Sequence, residues 1–320
     1  MLVTPALASA NNGNWQTAAR YARLLAAAYR VRVVERYTPA QADEAQLMIA
    51  LHARRSAASI RLWRAQHPAR PLVIVLTGTD LYRDIDTDGE ARAVLALADR
   101  LVLLNERGAE RLPPVLRSRA RVVLQSCAER QPGPKSQRFL RAVAVGHLRE
   151  EKDPRTLFAA VQRLAHRPDI RIDHLGAALD PALGAEAAQL ALQQPQYRWL
   201  GARGHAEARR RIAGAHLLVH MSRMEGGAHV VIEALRSGTP VLASRIDGNL
   251  GLLGADYPGV FEPGDAAGLA TLLERARDEP TMLPTLAAAA AARAPLFAPE
   301  AERAALHALL AELNTGDPAP

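Results

Sequence analysis

Short apolar runs of strand length alternate along the chain with longer segments in which apolar residues recur every three or four positions. This alternation is typical of βαβ units, in which helices cover a sheet of parallel strands. The predicted strands are Leu2–Ser9, Val31–Arg36, Leu47–Leu51, Leu72–Leu76, Leu101–Leu104, Arg121–Leu124, Arg141–Gly146, Ile170–Leu175, Arg198–Leu200, Leu217–His220, Pro240–Ser244 and Val260–Phe261. The predicted helices are Trp15–Tyr29, Ile60–Gln66, Glu90–Ala98, Pro154–Ala165, Ala206–Ala213, Val230–Ser237, Gly268–Arg277 and Pro299–Leu313. We therefore expect an α/β protein.

The segment Glu129–Gln137, with its Pro-Gly-Pro sequence, interrupts this alternation and predicts an interdomain linker. Because strands and helices alternate again after it, we expect two Rossmann-like, doubly wound domains. Such domains would face each other across a cleft lined by the carboxyl ends of their strands. The predicted domains span residues 1–134 and 138–295, and one option is that the C-terminal helix within 296–320 crosses back onto the first domain.

Length and composition agree with two globular domains. The chain has 320 residues, of which 49% are apolar and 23% are charged. No apolar run approaches the roughly 20 residues that a membrane span needs. Cys127 is the only cysteine, which excludes an intrachain disulfide, and we expect a cytoplasmic protein.

The formal net charge of +7 suits anionic partners such as nucleotides and phosphates. Aromatic residues make up only 4% of the chain, and the arginines are spread along it, which disfavours nucleic acid as the partner. Of the 40 basic residues only two, Lys135 and Lys152, are lysines. The composition therefore favours phosphorylated substrates.

The stretch His220–Ser244 carries the strongest chemical pattern. Gly226 and Gly227 permit a tight turn between a predicted strand and a predicted helix. The first N–H groups of such a helix and its positive dipole end suit a diphosphate. Glu225 precedes the helix and Glu233 lies inside it, which suits the first carboxylate to a sugar hydroxyl and the second to a ribose.

This pair of glutamates, followed by Gly238-Thr-Pro-Val, resembles the donor site of GT-B glycosyltransferases of the family 4 type. The resemblance implies that Glu225 contacts the transferred sugar and that Glu233 binds the nucleotide ribose. It also implies that the intervening backbone holds the diphosphate, through Gly226, Gly227, Ala228, His229 and Val230.

A second pattern, Gly146–Pro154, follows the first predicted strand of the second half. It resembles the family segment whose arginine and lysine bind the donor diphosphate, where they neutralise charge that grows on the leaving phosphate. Lys152 matches the lysine. His147 stands in the position of the arginine, and Arg149 is an alternative cation. The family loops that frame the base resemble the segments that contain Gly176 and Leu200.

Segments over nearly the whole chain are together similar to the selenosugar synthases of selenoneine biosynthesis. This resemblance implies an acceptor-binding first domain and a donor-binding second domain. It implies transfer of N-acetylglucosamine or glucose from a UDP-sugar to the selenium of selenophosphate, which gives a 1-selenosugar, UDP and phosphate. The segments are Asn11–Thr17, Ile49–Ser56, Leu76–Asp84, Gly146–Arg149, Ser222–Ala228, Ser244–Asn249 and Leu253–Gly254.

An acceptor such as selenophosphate already carries a nucleophilic selenium, so its site needs phosphate contacts more than a general base. Backbone amides and arginine forks suit a phosphate, although ordinary turns and solvated arginines explain the same residues. His52 is either a proton donor or acceptor or a structural histidine. The candidate acceptor-binding residues are Asn12, Gly13, Asn14, His52, Arg54, Thr79 and Asp80.

We expect no essential metal or other cofactor, no nucleic acid and no membrane partner, and the oligomeric state is open. Asp84–Gly89 begins like a calcium loop, but Leu95 occupies the position that requires a bidentate glutamate. Two alternative functions remain. One is an ordinary family 4 glycosyltransferase that acts on a hydroxyl acceptor. The other is a catalytically silent binder of a nucleotide-sugar or nucleic acid.

Overall fold

The structure is a computed structural model, and it describes residues 1–7, 13–40 and 45–314. The chain divides into two compact units. The first unit contains Met1–Ser126, Glu225–Gly227 and the residues from Pro299 onward. The second unit contains Cys127–Met224 and Ala228–Ala298.

Six parallel strands form the sheet of the first unit: β1 (Leu2–Val3), β2 (Val33–Val34), β3 (Met48–Leu51), β4 (Leu72–Leu76), β5 (Arg100–Leu103) and β6 (Ala120–Val122). Their order is β2-β1-β3-β4-β5-β6, and every neighbouring pair is parallel. Every residue of β3, β4 and β5 is buried. Near-continuous apolar runs are typical of parallel strands that helices cover on both faces.

The second unit also has six parallel strands: β7 (Leu140–Val145), β8 (Ile170–Leu175), β9 (Tyr197–Trp199), β10 (Leu217–His220), β11 (Val241–Ser244) and β12 (Val260–Phe261). Their order is β12-β11-β10-β7-β8-β9, which is the strand order of a Rossmann sheet. The direction of winding reverses between β7 and β10. Ligands of open α/β sheets bind beyond the carboxyl ends of the strands at such a point.

Helices connect the strands in both units: α1 (Gly13–Leu25), α2 (Ala57–Gln66), α3 (Ile85–Thr87), α4 (Gly89–Leu95), α5 (Pro154–Arg163), α6 (Pro181–Gln193), α7 (His205–Gly214), α8 (His229–Leu235), α9 (Asp247–Leu253), α10 (Ala266–Asp278), α11 (Met282–Arg293) and α12 (Pro299–Asn314). A π-helical turn, Asp80–Asp84, leads into α3. Short 3₁₀ turns occupy Gly108–Arg111, Pro114–Arg119, Glu150–Lys152 and Ala294–Phe297. None of the helices in the described ranges is long and apolar enough to cross a bilayer.

Two apolar clusters cover the opposite faces of the first sheet. Alternate residues of β4 contribute to each, because successive side chains of a strand point to opposite faces. Trp63 of α2 is fully buried in one cluster, and Tyr21 of α1 is fully buried in the other. Helix α12 contributes Leu306, Leu309 and Leu310 to the second cluster. The C-terminal helix therefore packs on the first sheet.

The α/β fold with two parallel sheets is confirmed, and four helices were not predicted: α3, α6, α9 and α11. Helices α6 and α11 are rich in alanine, which favours a helix without producing a contrasting polar face. The first strand is shorter than predicted, since β1 contains only Leu2–Val3. The rest of the predicted Leu2–Ser9 strand has no strand structure through Leu7, and residues 8–12 lie outside the described residues.

Candidate active site

The carboxyl ends of β7 and β10 lie side by side where the second sheet reverses its winding. The loop Gly146–Asp153 follows β7, and another loop begins at Met221 after β10. The backbone N–H of Arg223 donates to the carbonyl of Glu151 at 2.9 Å. The Arg223 guanidinium also pairs with the buried Asp153, with 3.1 Å between Nε and Oδ2. These contacts hold the two loops together.

Gly176 lets the loop after β8 lie directly on the loop after β7. Its φ is +154°, and a Cβ at this position would lie 1.9 Å from the carbonyl oxygen of Gly146. The N–H of Gly176 donates to the carbonyl of Gly201 at 2.9 Å. The segments with Gly176 and Leu200, which were predicted to frame a base, therefore adjoin the loop after β7.

Arg149 and Lys152 are cationic side chains in the loop after β7, which also carries three carboxylates. Burial lowers the pKa of His147, and the positive charges of Arg149 and Lys152 lower it further. The neutral ring accepts a hydrogen bond at Nδ1 from the N–H of Ala177 (3.1 Å). His147 therefore adds no positive charge to this loop at neutral pH. The Lys152 stem runs past Gly146, where a Cβ would lie 3.6 Å from the lysine Cδ.

Glu233 is a buried carboxylate one turn inside α8, and only 4% of the residue is exposed. Its Oε1 accepts a hydrogen bond from Nδ1 of His229 at 3.2 Å and also contacts Nε2 of His205. Burial raises the pKa of Glu233, but the two histidines together outweigh that effect and lower the pKa to about 2. The hydrogen bond to Glu233 raises the pKa of His205 in turn. Glu233 is thus an ionised group at neutral pH.

The short segment that Glu225 begins belongs to the first unit. Asn105 donates from Nδ2 to the carbonyl of Gly226 at 2.7 Å. A Cβ on Gly226 would lie 2.5 Å from the carbonyl carbon and oxygen of Thr77, and one on Gly78, whose φ is +144°, would lie 3.1 Å from the Gly226 nitrogen. Glycine at both positions lets this segment lie on the loop after β4, and it leaves Glu225 half-buried there.

A buried histidine with a left-handed backbone stands at the end of β3. His52 has a φ of +67° and lies 3.1 Å (Nε2) from Oγ1 of Thr79. Its ring nitrogens also lie 4.0 Å from Oδ2 of Asp80 and 3.9 Å from Oδ2 of Asp84. Burial lowers the pKa of His52 more than these carboxylates raise it, so the ring is neutral at pH 7. A strained backbone at a non-glycine residue is common at functional sites.

Asp80 is fully buried, and the backbone uses its carboxylate. Oδ1 accepts hydrogen bonds from the N–H groups of Thr77 and Gly78 at 2.8 and 2.9 Å, and Oδ2 accepts one from Ala53 at 3.1 Å. Asp80 therefore fixes the loops after β3 and β4 rather than presenting a free carboxylate.

The other predicted acceptor residues are more scattered. Arg54 is half-exposed and forms an ion pair with Asp88, with 2.6 Å between Nε and Oδ2. Gly13 is exposed at the start of α1, and Asn14 is half-buried beside it. Asn12 lies outside the described residues. Among the candidates the structure thus brings His52, Thr79 and Asp80 together.

The sequence did not point to three residues that hold parts of this candidate site in place: His205, Asn105 and Arg223. His205 begins α7 and Asn105 follows β5 by two residues. The only signal in the sequence for these residues was their position, since each is a polar residue just after a strand or at the start of the helix that follows a strand. Their partners Glu233, Gly226 and Asp153 lie 28, 121 and 70 residues away, so the contacts depend on the tertiary fold.

Two six-stranded parallel sheets define the class of this protein, which is the α/β, GT-B type of glycosyltransferase. Residues 127–293, just over half of the chain, match the family described as Glycosyl transferases group 1. The chain belongs to this family and is a glycosyltransferase. No curated protein matches the sequence.

Several solved structures share the fold. Sucrose-phosphate synthase (tll1590) from Thermosynechococcus elongatus superimposes with a TM-score of 0.79 at 17% identity, over 99% of each chain. Anabaena Alr3699/HepE in complex with UDP and glucose has a TM-score of 0.67 at 18% identity, over 83% of this chain and 78% of that chain. The S. aureus TarM G117R mutant in complex with fondaparinux, alpha-GlcNAc-glycerol and UDP has a TM-score of 0.67 at 13% identity, over 82% of this chain. The present chain spans 55% of that TarM chain.

Proposed function

We propose that this glycosyltransferase uses a UDP-sugar donor and transfers the sugar to the selenium of selenophosphate. In this reaction the selenium forms a bond to the anomeric carbon, and the bond from that carbon to the UDP oxygen breaks, with its electron pair leaving on UDP. Water then cleaves the selenium–phosphorus bond, which releases phosphate and the 1-selenosugar.

The observation that carries the donor side is the buried, ionised Glu233 in α8. Helix α8 follows β10, and the Lys152 loop follows the neighbouring strand β7. A carboxylate kept ionised by its partners is suited to accept hydrogen bonds from two ribose hydroxyls. We assign Lys152 and Arg149 to the leaving diphosphate, whose growing negative charge they neutralise. The HepE structures contain UDP and UDP-glucose, which supports UDP as the nucleotide here.

We assign the backbone from Gly226 to Val230 to the donor diphosphate and Glu225 to the transferred sugar. His147 and the segments with Gly176 and Leu200 then border the nucleotide. Because Lys152, Arg149 and backbone N–H groups supply the positive charge, the reaction needs no divalent metal. The single cysteine supports a cytoplasmic enzyme.

The similarity to selenosugar synthases supports the acceptor, and the first unit offers suitable groups. Thr79 and His52 present a hydroxyl and a neutral imidazole within 3.1 Å of each other. Selenophosphate needs no general base, because its selenium is anionic before it reacts. Gly13, Asn14 and the Asn12 that precedes them provide amide groups suited to a phosphate, and Arg54 provides a cation if it leaves Asp88.

An acceptor series tests this proposal. UDP release from UDP-N-acetylglucosamine or UDP-glucose is measured with selenophosphate, with a panel of sugar and polyol hydroxyl acceptors, and with no acceptor. We expect rapid UDP release only with selenophosphate. Turnover on a hydroxyl acceptor without turnover on selenophosphate would indicate an ordinary family 4 enzyme, and UDP binding without turnover on any acceptor would indicate a silent binder.

A further inference from the structure

Three metal-ligating atoms converge beside the first turn of α8. They are Nε2 of His205, Nδ1 of His229 and Oε1 of Glu233, and all lie within 4.8 Å of one another. His229 and Glu233 are four residues apart in α8 and therefore share one face of the helix. His205 approaches from the start of α7.

Solvent reaches this cluster from the histidine side. The side chain of His205 is 67% exposed and that of His229 is 33% exposed, whereas only 5% of the Glu233 side chain is exposed. A cation entering from solvent would meet the imidazoles first and the buried carboxylate last. It would take the place of the imidazole protons that now face Glu233, as metal binding to histidine generally does.

The chemistry of the three ligands selects the kind of cation. Mg²⁺ and Ca²⁺ prefer oxygen ligands, whereas imidazole nitrogens favour Zn²⁺ and related transition metals. Zn²⁺ often binds three protein ligands and keeps a fourth position open. We propose that His205, His229 and Glu233 form a binding site for a divalent transition-metal ion of the Zn²⁺ type, with its fourth position open to water or an anion.

Occupation of this site has a consequence for the donor. A metal bound to Glu233 withdraws the carboxylate that would otherwise bind the ribose, so metal and UDP compete. This consequence rests on the proposed function, whereas metal binding itself does not. Occupation of this site by a metal should therefore inhibit donor binding.

Isothermal titration of the full-length protein with Zn²⁺ tests the site. We expect one saturable site in the wild type and at least about tenfold weaker binding in the His205→Gln variant, because even an outer-shell substitution typically costs 10–100-fold in metal affinity. His166→Gln is the matched control, since His166 is also 67% exposed and pairs with Glu274 at 3.2 Å. It belongs to no metal-ligating group among the described residues. Circular dichroism confirms that both variants are folded.

Equal Zn²⁺ affinity in the wild type and the folded His205→Gln variant, or no saturable binding by the wild type, would overturn the proposal. A second titration separates it from the proposed function. Zn²⁺ should weaken UDP binding to the wild type, and this effect should be smaller in His205→Gln. If Zn²⁺ binds as expected but leaves the UDP affinity unchanged, the metal site stands and the assignment of Glu233 to the ribose fails.

Discussion

At the scale of single residues, Glu233 shows how the environment of a buried carboxylate keeps it ionised. Burial would favour its neutral form, and His205 and His229 reverse that preference. The sequence pattern indicated that Glu233 faces a ligand, but it did not indicate the partner that reaches it from α7. The spacing of eight residues between Glu225 and Glu233 is local, whereas the contact with His205 forms only when α7 and α8 pack.

Substitutions of Glu225 and Glu233 should have different effects on turnover and on UDP binding. Glu225→Ala should lower kcat at least about 100-fold while UDP still binds, because a charge-stabilising group of the reacting sugar is lost. Glu233→Gln should raise the Kd for UDP about 10- to 100-fold, because hydrogen bonds to charged groups contribute roughly 1.5–3 kcal/mol. Calorimetric titration with UDP and steady-state kinetics measure both.

Glu274→Gln is the matched control for this pair of variants, since Glu274 also pairs with a histidine, at 3.2 Å, but lies in α10. It should retain the wild-type affinity for UDP. If Glu225→Ala loses UDP affinity as severely as Glu233→Gln, the division of roles between the two glutamates is wrong.

The Glu233–His205 interaction should make stability depend on pH. Glu233 has a lowered pKa, so its contribution is present above its ordinary value of 4.5 and is lost as the pH falls towards about 2. His205 has a raised pKa, so its contribution is present below its ordinary value of 6.5 and is lost as the pH rises through the folded-state value. Both contributions are therefore present together between pH 4.5 and 6.5.

Urea denaturation of the wild type and of His205→Gln at pH 5.5 and pH 8.5 measures this effect. At pH 5.5 the free energy of unfolding of the wild type should exceed that of His205→Gln by about 1 kcal/mol, a value reduced by the solvent exposure of His205. At pH 8.5 this difference between the two proteins should be smaller. A difference that grows with pH would contradict the assigned pKa directions.

At the scale of elements, buried polar contacts hold helix α12 in the first unit. Glu302 in α12 is 1% exposed, and its carboxylate accepts hydrogen bonds from Nε of Arg20 at 2.8 and 3.0 Å. The N–H and hydroxyl of Ser126 donate to the same carboxylate at 2.8 and 2.5 Å. These contacts join α12 to α1 and to the end of the segment after β6.

Glu302→Gln should lower the free energy of unfolding by about 3–5 kcal/mol, because it leaves the buried guanidinium of Arg20 without a counter-charge. The matched control is Glu186→Gln, which removes the largely exposed pair with Arg155 (Nη2–Oε1, 2.6 Å) and should leave the free energy of unfolding nearly unchanged. Urea denaturation measures both variants. Equal losses would show that the buried pair does not anchor the helix.

The elements themselves were predictable to different degrees. Buried strands such as β3 and β4 appear in the sequence as uninterrupted apolar runs between polar or turn-forming residues, and their ends were predicted to within a residue. Helices α6 and α11 were not predicted, because alanine-rich segments show little contrast between faces. The π-helical turn Asp80–Asp84 was also not predicted, since tertiary contacts of Asp80 with both neighbouring loops fix its geometry.

At the scale of the whole molecule, the positions of the charged residues say more about the binding partner than the net charge does. Many arginines bind acidic neighbours of their own unit, as Arg167 does with Asp169 and Asp278 at 3.0 and 2.8 Å. The +7 excess alone therefore specifies no partner. Lys152, one of only two lysines, instead lies in the loop after β7, at the reversal point of the second sheet.

Chelation provides a test of how this charge is used. Transfer should proceed at an undiminished rate in excess EDTA, because we assign neutralisation of the leaving diphosphate to Lys152 and Arg149 rather than to a metal. Lys152→Ala should lower kcat at least about 100-fold under the same conditions. Loss of activity in EDTA that Mg²⁺ restores would show that a metal performs this role.

The central claim is that the enzyme makes a bond between a sugar and selenium. The most direct measurement is mass spectrometry of the product formed from a UDP-sugar and selenophosphate, with the Glu225→Ala variant as the matched control. We predict a sugar product that carries the natural isotope pattern of selenium, formed in proportion to UDP and formed at least about 100-fold more slowly by Glu225→Ala. UDP formation without any selenium-bearing sugar would contradict the account.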